Sequence, residues 1–163
     1  MIFVTVGSQA PFDRLIRAVD HWAHSRGRSD VFAQIGPADY RPKSIEAVPF
    51  LEPSQFRERV KSASVVVAHA GMGVIITALE HGKPIIVMPR RGDLKETRNN
   101  HQIATAQQFL QRGRIAVAND EEELMVKLDS ASFQSTEQIC SQASDELIGA
   151  IRNFIEGSIQ SRR

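Results

Sequence analysis

The sequence predicts one doubly wound, Rossmann-like α/β domain on a mostly parallel sheet of about six strands. Short continuous apolar runs alternate with amphipathic segments along the whole chain. Strands buried on both faces read as continuous apolar runs, and parallel neighbours need a crossover, usually a helix, between them. The 163 residues match the length of one domain, roughly 100–200 residues. Hydrophobic residues at 42% and charged residues at 24% are ordinary for a packed core with a solvated surface. No internal repeat, linker or low-complexity stretch divides residues 1–163.

The elements follow in order. Ile2 to Val6 is β-rich, ends at Gly7 and reads as a buried strand. Phe12, Leu15, Ile16, Val19 and Trp22 recur at helical spacing, which predicts a helix from Phe12 to His24. Val31 to Ile35 is a second strand, closed by Gly36-Pro37, and Ala47 to Leu51 a third. Ser54 is placed to cap a short helix through Val60. Val65 to Ala68 is the fourth strand. The Val74-Ile75-Ile76 run has weak helix propensity, yet a crossover is required there, so Val74 to His81 is read as a helix ended by Gly82. Ile85 to Met88 is the fifth strand, followed by a polar loop from Pro89 to Arg98. A helix from Asn99 to Arg112 stops at Gly113, and Ile115 to Val117 is a short sixth strand. Asp120 caps a helix to about Leu128. A long amphipathic helix from about Thr136 to Ile159 closes the chain. Its apolar stripe is Ile139, Ala143, Leu147, Ile148, Ile151, Phe154, Ile155 and Ile159. The first half of the stripe is expected to pack on the chain's own sheet. The second half, ending in Arg162-Arg163, is expected to be open to a partner or an anionic membrane surface.

Composition excludes several classes. Twenty basic residues against 19 acidic leave a formal charge of +1, whereas a nucleic-acid footprint calls for a basic excess. Cys140 is a single cysteine, so neither an internal disulfide nor a multi-cysteine metal site can form, and a reducing compartment is expected. No apolar run approaches the roughly 20 residues of a membrane span. Met1 to Gly7 lacks the basic lead and long apolar core of a signal peptide. These observations predict a cytoplasmic chain. They also predict that a cleft between two full domains would be only half supplied by a chain of this length.

Ligands of doubly wound folds bind beyond the carboxyl ends of the strands, where the strand order reverses. The loops after strands one, four and five are therefore the candidates. Gly7-Ser8-Gln9-Ala10-Pro11 suits close approach to a phosphate before a helix N-terminus, or it is a plain tight turn. It is neither a P-loop nor a dinucleotide fingerprint. His69-Ala70-Gly71-Met72-Gly73 leaves the fourth strand and opens into a helix, which again suits a diphosphate. Glu80 follows Gly73 by about two helical turns. Spacing alone leaves open whether it reaches a ribose or is a solvated glutamate. In the third loop, Arg90 to Arg98, the charges mostly cancel, so it is expected to be largely solvated. Asn99, Asn100, His101 and Gln102 that follow have the donor and acceptor inventory of a sugar site, and either Asn can also cap the helix.

Four segments in order, Ile2 to Asp13 (IFVTVGSQAPFD), His69 to Glu80 (HAGMGVIITALE), Gly82-Lys83-Pro84 and Asn99 to Gln102 (NNHQ), resemble the carboxyl-terminal, donor-binding domain of family 28 glycosyltransferases of GT-B fold. The nearer resemblance is to split forms: the small subunit of the dolichol-pathway N-acetylglucosaminyltransferase, and the small subunits of bacterial exopolysaccharide and capsule glycosyltransferases. The resemblance implies half of a GT-B fold. It implies that Gly7, Ser8 and Gln9, with His69, Gly71, Met72 and Gly73, face the donor diphosphate. It implies that Glu80 binds the ribose of UDP, and that Asn99, Asn100, His101 and Gln102 contact the donor sugar. Many relatives are acidic where Asn99 stands, and Met72-Gly73-Val74 replaces a more usual glycine-threonine or glycine-serine continuation.

The chemistry so implied is transfer of a sugar from a UDP-sugar, such as UDP-N-acetylglucosamine, to an acceptor hydroxyl with inversion. No Asp-x-Asp occurs, so no metal clamp and no cofactor beyond the UDP-sugar substrate are expected. His69, His101 and Glu80 are candidate bases by type, and the base, or at least the acceptor pocket, is expected to come from a partner. The resemblance further implies a membrane-anchored partner subunit that holds a lipid-linked saccharide acceptor and recruits this chain to the cytoplasmic face. A non-catalytic nucleotide-sugar-binding module is the alternative reading.

Overall fold

The computed structural model describes residues 1–130, 138–139 and 145–160, with side chains through 155. Its elements are β1 (Ile2–Thr5), α1 (Asp13–Ser25), β2 (Val31–Gln34), β3 (Glu46–Val48), α2 (Pro53–Ser62), β4 (Val65–His69), α3 (Met72–Glu80), β5 (Ile85–Met88), α4 (His101–Gln111), β6 (Ala116–Val117), α5 (Glu121–Asp129) and α6 (Asp145–Gln160). The six strands are all parallel, in the order β3-β2-β1-β4-β5-β6. This is the expected doubly wound sheet, and its order reverses between β1 and β4.

Alternation along the strands feeds two cores. Ile2 and Val4 of β1, Val65 and Val67 of β4, and Ile86 and Met88 of β5 point to one face, where Leu15, Val19 and Trp22 of α1 and Leu124 and Leu128 of α5 cover them. Phe3, Val66, Ala68, Ile85 and Val87 point to the other, under Val60 of α2, Ile75 and Leu79 of α3 and Ala106 of α4. The β-branched run that argues weakly against a helix at α3 is therefore overridden by burial: Val74, Ile75, Ala78 and Leu79 are core.

Several boundaries differ from the sequence reading. Helix α2 starts from Glu52, not Ser54: Pro53 sits at its first position and Gln55 Oε1 accepts the Glu52 N–H at 3.2 Å. Helix α4 begins at His101 because Asn99 Oδ1 accepts the His101 N–H at 3.2 Å and holds the chain in a turn just before it. Asn100 occupies the N-cap, but its side chain makes no cap bond. The closing helix starts at Asp145, and Gln138 and Ile139 are not helical. Ile139 does pack on the second core, where its N–H donates to the Leu79 carbonyl at 3.2 Å. Leu147, Ile148 and Ile151 do not join either core and are exposed, as are Phe154 (76%) and Ile155. Both sheet faces are covered by the other helices, so of the described first half of the stripe Ile139 packs on the chain's own core as expected, while Leu147 and Ile148 do not. Ala143, the Ile159 side chain and Arg162-Arg163 lie outside the described residues.

The long β2–β3 connection is tied down by α1. Asp20 is buried and accepts from Tyr40 Oη at 2.7 Å, Lys43 N at 3.0 Å and Ser44 N at 2.8 Å. Burial alone would raise its pKa, but these bonds outweigh it and hold the carboxyl below the ordinary value. Asp20→Ala strands three donors and is expected to cost about 2–4 kcal/mol in urea unfolding, whereas exposed Asp39→Ala stays within about 0.5 kcal/mol. Equal stabilities for the two variants would refute the tie.

Candidate functional site

The loops leaving β1, β4 and β5 open onto one cavity of about 1070 Å³, at the upper end of ligand-site volumes, about 300–1,000 Å³. The residues that line it include Gly7, Ser8, Gln9, His69, Gly71, Met72, Gly73, His101 and Gln102. Three singled-out residues do not line it. Glu80 lies beyond the wall, where Thr77, one turn earlier on the same face of α3, takes its place. The Glu80 backbone carbonyl accepts from Gln138 Nε2. Asn99 and Asn100 are spent on local structure. Asn99 Oδ1 contacts both the N–H and Nδ1 of His101, and Asn100 Oδ1 accepts the Gly92 N–H at 2.8 Å. A smaller cavity of about 300 Å³ shares Gly7, Ser8, Phe56 and Thr77 with the first and adds Gln34, Leu51 and Arg57.

His69 sits at the end of β4 with its ring wedged between two glycines. A Cβ on Gly7 would lie 2.9 Å from His69 Cε1, and one on Gly71 would overlap His69 Nε2. Gly7 also has φ +77°, a conformation glycine adopts at no steric cost. The glycines thus serve ring packing inside the wall as well as backbone approach. Gly73 differs: a Cβ there meets nothing within 4 Å, so its smallness is free to serve a ligand. Gly71 is the N-cap of α3 and carries no side chain, so the first-turn amides of Met72, Gly73 and Val74, residues that line the cavity, have no side-chain cap.

Burial and then the nearby Arg90 charge push the His69 pKa down from 6.5 to about 4, while the Thr5 backbone opposes them. The imidazole is therefore neutral at pH 7, and its Nδ1 is buried without a hydrogen-bond partner among the described residues. His101 is the opposite case. It is exposed, and the Asn99 contact places the proton on Nδ1, leaving Nε2 as a free acceptor.

Arg90 was hidden by its neighbours. In sequence it belongs to a loop of cancelling charges; in the structure it is 6% exposed. Its Nη2 donates to the carbonyls of Val6 at 2.8 Å and Ala10 at 2.6 Å, and its N–H donates to Gln102 Oε1 at 3.1 Å. Burial lowers its pKa, with Glu96 opposing, but a guanidinium keeps its charge in proteins. Of the rest of the loop, Asp93, Leu94, Lys95 and Arg98 are exposed, as the cancelling charges predict, while Glu96 is held. Glu96 takes Arg14 Nε at 2.6 Å and Nη2 at 2.9 Å, with both side chains largely buried, and accepts the Arg91 N–H at 2.9 Å. The signal available in sequence was position alone: Arg90 follows strand β5 by two residues, at the end where ligands bind.

The neutral state of His69 has a measurable consequence. Below pH 6.5 the unfolded chain takes up a proton that the folded chain refuses until about pH 4. The stabilisation is complete above pH 6.5 and is lost as the pH falls toward 4, at up to about 1.4 kcal/mol per pH unit. Urea unfolding of His69→Asn should be flatter across this window than the wild type, and an unchanged slope would refute the assignment.

Comparison with known proteins agrees with this architecture. The glycosyltransferase family 28 C-terminal domain model matches residues 1–150. The human UDP-N-acetylglucosamine transferase subunit ALG13 is 30% identical over 124 residues, covering 70% of this chain. The match spans only 10% of that protein's own length. The solution structure of ALG13 superposes with a TM-score of 0.58 at 18% identity, covering 84% of this chain and 87% of that one. The crystal structure of the kitacinnamycin glycotransferase superposes with a TM-score of 0.58 at 21% identity, covering 79% of this chain and 34% of that one. At these identities the superpositions speak to the fold, half of a GT-B glycosyltransferase. With the family model matching nearly the whole chain, this protein belongs to the glycosyltransferase family 28 C-terminal domain family.

Proposed function

We propose that this chain is the donor-binding subunit of a UDP-sugar glycosyltransferase. In this reading it transfers a hexose, with inversion, to a lipid-linked saccharide in exopolysaccharide, capsule or related glycolipid synthesis. The observation that carries it is the convergence of the uncapped N-terminus of α3, the Gly7–Gln9 loop and the buried Arg90 charge on one strand-end cavity. A diphosphate is the ligand class that this arrangement stabilises, through amides, helix dipole and fixed positive charge. These same groups would take up the charge that develops on the leaving UDP, without reorganising during the reaction.

The remaining walls set the ligand's direction. With the diphosphate at α3, the sugar extends toward His101, Gln102 and Thr105 of α4. The nucleoside then extends the other way, past Thr77 and Phe56 into the smaller cavity. His101 Nε2, oriented by Asn99, is the base we assign to the acceptor hydroxyl. His69 is too weak a base for that task at about 4 and is read as part of the diphosphate wall.

A membrane-anchored partner would supply the acceptor pocket. Ile148, Ile151 and Ile155 line one exposed face of α6, which is the surface offered to it. No helix among the described residues is long and apolar enough to cross a membrane, so attachment to the cytoplasmic face would come through that partner. Truncation from Leu147, which removes the whole of this face, is expected to abolish co-purification with the partner. Retained association would assign the interface elsewhere.

Two further outcomes test the site. Gly73→Ala should leave thermal stability within about 0.5 kcal/mol while weakening UDP at least tenfold, because its Cβ meets only the ligand's space. Wild-type UDP affinity, read by calorimetry, would remove the diphosphate from α3. In the reconstituted pair, His101→Ala should lower kcat by about 10²–10⁴ and spare UDP affinity. Unchanged turnover would place the base on the partner, and an absence of turnover in the wild-type pair would favour a non-catalytic binding module.

A further inference from the structure

We infer that the donor sugar is a hexuronic acid, its carboxylate held by Arg98 and the Gln102 amide. The inference rests on the proposed UDP-sugar reading and names the sugar class. A sugar hydroxyl both donates and accepts, so a site for a neutral hexose presents acceptors as well as donors. At the α4 end of the cavity the carboxylate and amide oxygens already hold protein donors. Glu96 holds Arg14 on both oxygens and the Arg91 N–H as well. Asn99 Oδ1 holds His101, Asn100 Oδ1 holds the Gly92 N–H at 2.8 Å, and Gln102 Oε1 holds the Arg90 N–H at 3.1 Å.

Asn99 and Asn100 do not line the cavity, and the donors at its α4 end not already paired are the Gln102 NH₂ and the Arg98 guanidinium. The Arg90 bond fixes the orientation of the Gln102 amide, so its NH₂ is the end left for a ligand, on a side chain only 6% exposed. Arg98, an exposed residue, lines the same wall, and its guanidinium makes no hydrogen bond or ion pair with another described residue. The Thr97 and Thr105 hydroxyls serve either role, and His101 Nε2 is the acceptor already assigned to the acceptor substrate's proton. A carboxylate accepts only, at about four lone-pair sites, and pairs bidentately with a guanidinium. It matches this inventory with two charged acceptors for the Arg98 fork, whereas a hydroxymethyl group at the same position offers Arg98 a single neutral acceptor.

Calorimetric titration of the full chain with UDP, UDP-glucose, UDP-N-acetylglucosamine and UDP-glucuronate tests the assignment. UDP-glucuronate is expected to bind at least about tenfold tighter than either neutral UDP-sugar. In Arg98→Gln the ratio of UDP-glucuronate to UDP-glucose affinity is expected to fall to about one. Because both ligands are read on the same variant, a folding defect does not alter the ratio. If UDP binds but the neutral sugars bind as tightly as the uronate, the uronate inference fails and the UDP-sugar reading stands. If Arg98→Gln weakens all ligands alike and keeps the ratio, Arg98 serves the diphosphate and the inference also fails. If neither UDP nor any UDP-sugar binds, the donor-site reading itself fails.

Discussion

A buried guanidinium without a bidentate carboxylate must find acceptors in the backbone, and the site's shape depends on where Arg90 finds them. Its two bonds to the carbonyls of Val6 and Ala10 span the loop that leaves β1. Its own N–H sits at the end of β5 and reaches Gln102 in α4. One residue thus ties the loop after β1 and helix α4 to the end of β5. Such a charge is tolerable only because several hydrogen bonds and the Phe12 ring, 5.2 Å from its centre, replace water. Its Nε remains buried without a partner among the described residues, which is the kind of orphan that functional sites retain.

Burial separates the two histidines. His69 lies in the wall with its ring between two glycines, and desolvation, aided by the Arg90 charge, keeps it neutral. His101 is exposed, with its Nδ1 against Asn99 Oδ1, so its Nε2 edge is the one left open. A sequence holding both histidines near glycine and amide runs cannot rank them as bases. Burial and orientation rank them, and neither is a local property.

Much of the fold was legible because the strands are nearly all apolar. Ile85–Met88 was read with its observed limits, and the order of strands and helices follows the alternation of runs. The glycine loops were legible at the site for the same reason, since they sit where apolar runs end. Glu80 and Thr77 mark the limit. Both are polar and lie on one helix face a turn apart, and only the position of α3 against the cavity decides that Thr77 forms the wall. Arg90 and Glu96 were illegible because their partners are distant in sequence: Val6 and Ala10 for one, Arg14 for the other. A run of mixed charge reads as solvated until a helix from elsewhere supplies the counter-charge. The α6 stripe failed differently, since amphipathicity states that a face will be covered and not by what.

The proposed donor site and the loops around it rest on several side chains that bond backbone. Arg90 holds two carbonyls, Gln102 and Asn100 hold N–H groups, and Glu96 holds the Arg91 N–H along with Arg14. Such bonds set loop geometry before any ligand arrives, so binding has little ordering entropy left to oppose it. Preorganised amides also act without delay on charge that develops during transfer. Their strength depends on excluding water, because a low dielectric is what makes an oriented dipole effective. In the proposed pairing, the surface that closes over the cavity arrives with the partner, and the exposed face of α6 is the place for it to dock. Donor recognition would then be complete in this chain, while the dry environment that turns recognition into catalysis would exist only in the complex.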